Sequence, residues 1–416
     1  MVDRAFCGNF YFNGKFEYLE VSVSDGKIVS IKKDAGNTDK KYLNGAIFPA
    51  STDMHVHFRD PGETEKEDFY TGSMSAIYGG TTLVMDMPNN RFPIVDYMKY
   101  EDKLNTVRRK SFADFGLYSM ETGNNADIIE PKSSGLKIYL GGSTNSVGIG
   151  SINDKELSKI RSFNVPVVFH GEMQSCLERH KIEAANLREY NISRPTECEK
   201  EASEYISNLD IVTKVMAHIT SPDVSGKFLR EVTPHHLLLN DDMPLGPLGK
   251  VNPPLREKHV QSALLDSYVA GNFDIVSSDH APHTEEEKSD FIHAKSGIIG
   301  VETRVPLLLM LIKRKILSYD VFYRTAIMNP PDIFGIKKGK IEAGYDADFF
   351  SVDFGNEEQL NEYKLHSKVP RSPFNGMHVI FPENVILRGE AVIEKREAIM
   401  DPSGRYIPSQ KSVSGN

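Results

Sequence analysis

The stretch Ala46-Ile47-Phe48-Pro49-Ala50-Ser51-Thr52-Asp53-Met54-His55-Val56-His57-Phe58-Arg59-Asp60-Pro61-Gly62 decides how the chain is read. Its apolar start predicts a buried strand, Ala46–Ala50, and the two histidines follow where that strand leaves its sheet. Imidazoles at i and i+2 of an extended segment lie on one side, so both can reach a single cation. Arg59 places a fixed positive charge two residues further on. Together these residues point to a metal-assisted hydrolysis of something anionic.

Outward from this stretch, residues 50–339 alternate short apolar runs with helical patterns, the texture of βα units on a parallel sheet. Eight strands are predicted: Ala46–Ala50, Thr82–Met85, Asp114–Ser119, Leu136–Leu140, Val165–Phe169, Lys214–Ala217, Arg230–Thr233 and Asp274–Ser277. Eight such repeats suit an α/β fold of the (β/α)8, TIM-like barrel type, whose active site lies at the C-terminal ends of the strands. Between the first two, Thr64-Glu65-Lys66-Glu67 reads as a capping box opening a helix that stops near Gly79-Gly80. The chain ends look different. Residues 5–32 alternate apolar and polar around turn signals at Asn13-Gly14 and Asp25-Gly26, and short strands recur after Lys340. The expected organisation is a small β-sandwich built from residues 1–49 and 340–416, flanking a hydrolase barrel of residues 50–339.

Composition excludes several classes. Against 58 acidic residues stand 49 basic ones, a formal charge of -9 with no basic block, so no nucleic-acid partner is expected. No run is apolar enough for a membrane span, and the start lacks a signal peptide's apolar core, which makes a cytoplasmic protein the expectation. Cys7, Cys176 and Cys198 are odd in number and form no Cys-x-x-Cys pair, so a reduced protein is expected.

The barrel reading makes a further demand: polar residues should collect at strand ends. His55 and His57 follow the first strand, and Pro88-Asn89-Asn90 the second. Lys137 lies in the fourth, His170 ends the fifth and His218 the sixth. Glu231 and His235-His236 mark the seventh; Asp279, His280 and His283 follow the eighth. Four histidines and an aspartate suit Zn²⁺ or a similar ion. Five ligands exceed the needs of one open tetrahedral site, so two divalent ions are expected. Two neighbouring cations need an anionic bridge, and Lys137 would supply one after its neutral amine reacts with CO2 to give a carbamate. Each residue also has a structural reading. Lys137 could be an ion-paired lysine, Asp279 a helix cap, Arg59 a partner of Asp60 or Glu63, and His283 a partner of Glu285 or Glu286. His235 and His236 read equally as packing residues, and His180, His259, His293, His366 and His378 receive no role.

The ordered set of motifs, with Met87-Pro88-Asn89, Gly135-Leu136-Lys137-Ile138-Tyr139-Leu140, His170-Gly171-Glu172, His218-Ile219-Thr220, Asn252-Pro253-Pro254-Leu255-Arg256 and Asp279-His280-Ala281-Pro282-His283, resembles the dihydroorotases of the amidohydrolase superfamily. Gly344-Tyr345-Asp346-Ala347-Asp348 resembles that superfamily's C-terminal sandwich, so the likeness covers nearly the whole chain. It implies reversible cyclisation of N-carbamoyl-L-aspartate to L-dihydroorotate with loss of water, the third step of pyrimidine synthesis. His55, His57 and Asp279 would hold one metal, His170 and His218 the other, and carbamylated Lys137 would bridge them. A metal-bridging hydroxide would attack the ring carbonyl, with Asp279 as general base and then acid. Arg59 would clamp the substrate carboxylate, helped by Asn89, Asn252, His283 and the backbone at Gly297. A homodimer and an association with other pyrimidine-pathway enzymes are further expectations of the likeness. Allantoinase is the nearest rival, but its substrate lacks the carboxylate that Arg59 and His283 would serve. Dihydropyrimidinases and hydantoinases differ more after the two histidines. A non-catalytic barrel is the reading of another class, and the full ligand set speaks against it.

Overall fold

The computed structural model describes residues 3–33 and 40–409. In chain order its strands are β1 Arg4–Phe12, β2 Lys15–Ser24, β3 Lys27–Lys32, β4 Lys40–Pro49, β5 Ser51–Val56, β6 Thr81–Asp86, β7 Asp114–Glu121, β8 Gly135–Tyr139 and β9 Val167–His170. The series continues with β10 Lys214–Met216, β11 Leu229–Val232, β12 Ile275–Val276, β13 Phe349–Val352, β14 Glu358–Gln359, β15 His378–Val379, β16 Asn384–Leu387, β17 Glu390–Glu394 and β18 Glu397–Ala398.

Strands β5 to β12 lie side by side in sequence order, each parallel to the next. The ring is brought together between β5 and the residues after β12. There the His57 amide donates to the His280 carbonyl at 2.8 Å, and the Ser278 amide to Asp53 Oδ1 at 3.1 Å. Helices cover the outside, and the apolar core between strands and helices includes Val84, Phe115, Leu136, Phe169 and Leu308. This is the expected (β/α)8 barrel.

One predicted strand belongs elsewhere. Ala46–Pro49 is the end of β4, paired with β13 in antiparallel register (Ala46 opposite Val352, Pro49 opposite Phe349) and with β1 in parallel. The first barrel strand is β5, which begins two residues later and itself carries His55. An apolar run says that a strand is buried, and neighbours alone say in which sheet.

The two chain ends merge into one eight-stranded sheet, ordered β18-β17-β16-β13-β4-β1-β2-β3. Its hairpins turn where expected. Asn13 and Gly14 have φ of 50° and 81°, and Asp25 and Gly26 have 54° and 74°, the left-handed pairs that suit the twist of two-residue hairpins. The sheet curls until its edge strand β3 meets the segment before β13: the Ile28 amide donates to the Tyr345 carbonyl at 2.9 Å, and the Gly344 amide to Ile28 O at 2.8 Å. Phe6, Phe10, Val21, Phe349 and Ile386 fill the enclosed core.

Two local expectations need correction. The first barrel helix is Phe69–Tyr78, and its cap is Asp68, whose carboxylate accepts from the Thr71 amide. Within the expected capping box Glu67 is engaged in a tertiary contact, accepting from Ser367 at 2.5 Å, and the intervening Lys66 pairs with Glu287 at 2.8 Å. The cysteines are not all reduced either. Cys176 and Cys198, 22 positions apart, form a disulfide, because the helices Gln174–Arg179 and Thr196–Asn208 bring their Cα atoms to 5.3 Å. Cys7 remains a buried thiol. No helix among the described residues is long and apolar enough to cross a membrane.

Candidate metal centre and active site

At the C-terminal mouth of the barrel, His55, His57, Lys137, His170, His218 and Asp279 line one cavity together with Arg59, Asn89, Asn252 and Gly297. His55 and Lys137 are contributed by β5 and β8, His170 by the last position of β9. His57, His218 and Asp279 stand just past β5, β10 and β12. Arg59, His218 and Asp279 have φ of 58°, 41° and 49°, a left-handed backbone that costs non-glycine residues about 1–3 kcal/mol each and gathers at functional sites.

The imidazoles are oriented from behind. His55 Nδ1 lies 2.8 Å from Glu231 Oε1, His57 Nδ1 2.6 Å from Asn89 Oδ1, and His170 Nε2 2.8 Å from Glu172 Oε2. Each of those nitrogens donates its proton to an oxygen that can only accept, which leaves the opposite ring nitrogen as a lone pair. The lone pairs turn inward. His57 Nε2 is 3.0 Å and His55 Nε2 3.3 Å from Asp279 Oδ1, so three donors share one point. Across the cavity His170 Nδ1 faces His218 Nε2 at 3.1 Å.

The electrostatics favour the same chemistry. Burial holds all four imidazoles below the usual histidine range; Lys137 adds to this at His55, Arg59 at His57 and His170 at His218. Neutral imidazole is the ligating form. Lys137 is 1% exposed, and its Nζ lies 3.5 Å from His55 Nε2. Burial holds its ammonium down to about 8 against the pull of Glu231 and Asp279, so the amine is within reach of its neutral form. Burial in turn pushes Glu231 up to about 7, opposed by Lys137. At Glu172 burial would raise the carboxyl, but Arg194 and His170 hold it down to about 2. The donor set therefore fits two divalent cations: His55, His57 and Asp279 on one side, His170 and His218 on the other, and Lys137 between.

Arg59 is buried beside this centre, its Nε donating to the Pro282 carbonyl at 3.2 Å and its Nη2 to His283 Nε2 at 3.2 Å. His283 stands behind Arg59, off the wall of the metal cavity, and pairs through Nδ1 with Glu287 Oε2 at 3.0 Å. Burial and Arg59 hold its imidazole down to about 3, so its Nε2 accepts from the guanidinium. Asn89 has both polar atoms engaged, the oxygen by His57 and the nitrogen by the Thr144 carbonyl at 2.9 Å. Asn252 is bonded by the Tyr190 hydroxyl and reaches Ser143 Oγ at 3.3 Å.

Segment 141–150 lies over the mouth. Asn145 Nδ2 donates to Glu63 Oε2 at 2.9 Å, and Thr144 Oγ1 to the Ser296 carbonyl at 3.3 Å. Beneath it the cavity measures about 30 Å³, room for ions and water but not for a six-membered ring. A neighbouring cavity of about 420 Å³, lined by His283, shares Gly297 with the metal cavity and contains none of the metal donors.

The sequence alone assigns no role to Glu231, Glu172 or Arg194. Glu172 carried a signal, since it follows His170 at i+2 as a carboxylate. Arg194 carried none. His235 and His236 are internal: both bond Thr233 Oγ1, and His236 also reaches the Pro253 carbonyl.

The amidohydrolase family profile matches residues 46–392. The dihydroorotase of Thermoplasma acidophilum is 65% identical over 98% of both chains. That of Methanosarcina mazei is 36% identical, over 95% of this chain and 94% of its own. Among solved structures, the L-hydantoinase from Arthrobacter aurescens superposes with a TM-score of 0.91 at 23% identity, covering 99% of this chain and 100% of that one, a likeness of fold. The chain therefore belongs to the amidohydrolase family, among its dihydroorotases.

Proposed function

We propose that this enzyme interconverts N-carbamoyl-L-aspartate and L-dihydroorotate, the ring-closing step of pyrimidine synthesis, in the cytoplasm, with residues 50–339 as the catalytic barrel. The observation that carries this reading is the convergence of four neutral imidazoles, a carboxylate and a buried lysine on one cavity, with a buried arginine beside it.

His55, His57 and Asp279 would hold one divalent ion and His170 and His218 a second, Zn²⁺ by donor chemistry, with Lys137 as its carbamate between them. When bound, such a pair supplies Lewis acidity and makes water acidic near neutral pH. The remaining work falls to the chain. Arg59 pairs with the substrate carboxylate through guanidinium donors not engaged by Pro282 and His283. Asn252 and the Gly297 backbone face the ring amide edge, and Asn89 holds His57 while lining the same pocket. Asp279 takes a proton from the attacking water and delivers it to the departing ring nitrogen; in ring closure it works in reverse. Segment 141–150 opens for entry and excludes water when closed.

The test is ring opening of L-dihydroorotate by the purified protein, with dihydrouracil and allantoin in parallel, before and after chelation. Turnover confined to dihydroorotate, abolished by chelator and restored by Zn²⁺, is the expected result. Preferential turnover of either other ring would overturn the assignment of Arg59.

A further inference from the structure

One partly buried guanidinium joins the candidate metal centre to the segment that covers it. Arg194 follows the helix Leu187–Ser193 and is distant in sequence from both. Its Nε donates to Glu172 Oε1 at 3.0 Å and its Nη2 to Glu172 Oε2 at 2.5 Å, a two-pronged fork on one carboxylate. The same Nη2 donates to the Gly142 carbonyl at 3.1 Å, at the root of segment 141–150. Glu172, fully buried, in turn accepts from His170 Nε2 at 2.8 Å. Arg194 is itself braced: Arg256 Nη1 donates to its carbonyl at 2.6 Å, and Arg256 Nη2 pairs with buried Glu199 at 2.9 Å.

We propose that Arg194 is a positioning residue for the His170–His218 half of the metal centre and, through Gly142, for the cover, so that metal retention and substrate closure rest on one strut. The inference builds on His170 and His218 as ligands under the proposed function.

The physical reason lies in what His170 must do. To offer Nδ1 toward His218 Nε2, its ring must keep the proton on Nε2 and must not rotate. Glu172 enforces both, provided that its own carboxylate plane is fixed. A single hydrogen bond would let that plane swing, whereas a fork from a planar guanidinium sets it. Removing the fork would also leave a fully buried carboxylate without its partner, free to turn away from His170. Glu172 could then no longer hold His170. The Gly142 bond is separate: it constrains the cover and not the ligand.

Two variants separate these functions from mere support of the fold. Arg194→Gln removes both the charge and the fork. Arg194→Lys keeps a charge beside Glu172 but cannot bond both of its oxygens and Gly142 with a fork's geometry. Each is loaded with Zn²⁺ and dialysed against graded chelator, with metal per chain, Tm, kcat and KM measured beside the parent enzyme. The expected result is that Arg194→Gln drops to one metal per chain where the parent keeps two, a loss of about 10- to 100-fold in affinity for the second ion. Arg194→Lys should keep its second metal better than Arg194→Gln while showing a raised KM for dihydroorotate. Equal metal retention in Arg194→Gln and parent overturns the proposal. So does loss of both metals in step with a fallen Tm, the mark of a purely structural pair. Unchanged KM in both variants removes the role of Gly142. A parent that itself binds fewer than two metals defeats the proposed metal centre, and this inference with it.

Discussion

Replacing Arg59 by Gln isolates the source of the carboxylate preference. The guanidinium is 2% exposed, and two of its contacts, to the Pro282 carbonyl and His283 Nε2, are neutral acceptors. Its charge is thus desolvated, and burial lowers its proton affinity even with Glu63 and Glu287 nearby. A substrate carboxylate arriving there meets a cation already stripped of water. At an effective dielectric of about 20, two unit charges about 4 Å apart attract by about 4 kcal/mol. The net value of a charge-assisted hydrogen bond, after the carboxylate's own desolvation, is about 1.5–3 kcal/mol. At about 1.4 kcal/mol per decade, Arg59→Gln should lower kcat/KM for dihydroorotate by about 10- to 150-fold, mostly through KM. Activity on dihydrouracil, which has no carboxylate, should change far less, so the ratio of the two specificities is the readout. Steady-state kinetics on both rings, with metal content and Tm as controls, would measure it. An equal fall for both rings at unchanged metal content would falsify the clamp and make Arg59 a scaffold for His283.

Three further outcomes are expected. Asp279→Ala should abolish turnover with its far-ultraviolet circular dichroism unchanged, and should weaken binding of the metal shared with His55 and His57; an active variant would remove Asp279 from proton transfer. Glu121, at the end of β7, is pushed up to about 7 by burial, and its Oε2 lacks a hydrogen-bond partner among the described residues. Its folded pKa thus lies above the unfolded value, so the native state binds the extra proton and stability falls as pH rises from about 4.5 to about 7. Glu121→Gln should flatten that part of the stability–pH curve by up to about 3 kcal/mol, as measured by urea denaturation at pH 5 and pH 8; an unaltered slope would place the titration elsewhere. Breaking the Cys176–Cys198 bond, whose partners are 22 positions apart, should cost about 3 kcal/mol. A Cys176→Ser/Cys198→Ser protein as stable as the parent under oxidising conditions would show that the bond adds nothing.

Much of the candidate site was legible because its residues are tied to strand ends. His55-Val56-His57, His170, His218 and Asp279 each sit at or just beyond a run of β-forming residues, and a barrel of parallel strands brings every such end to one face. The same local logic located the hairpins at Asn13-Gly14 and Asp25-Gly26, where the residue types themselves demand a left-handed backbone. Other features depend on partners distant in sequence. The apolar run at Ala46 was correctly a strand, but its sheet was set by pairing with Phe349–Val352, some 300 positions away. Thr64-Glu65-Lys66-Glu67 has the pattern of a cap, yet Lys66 and Glu67 are held by Glu287 and Ser367, and the cap passes to Asp68. The disulfide required two helices to pack side by side. Arg194, whose neighbours in sequence say nothing of a metal, owes its proposed role to its bonds with Glu172 and Gly142. Residue type and period determined which side chains carry chemistry and on which element they stand, because those depend on the chain's own covalent geometry. Which groups brace them was decided by the tertiary structure, because hydrogen bonds and ion pairs depend on distance in space and are indifferent to distance along the chain.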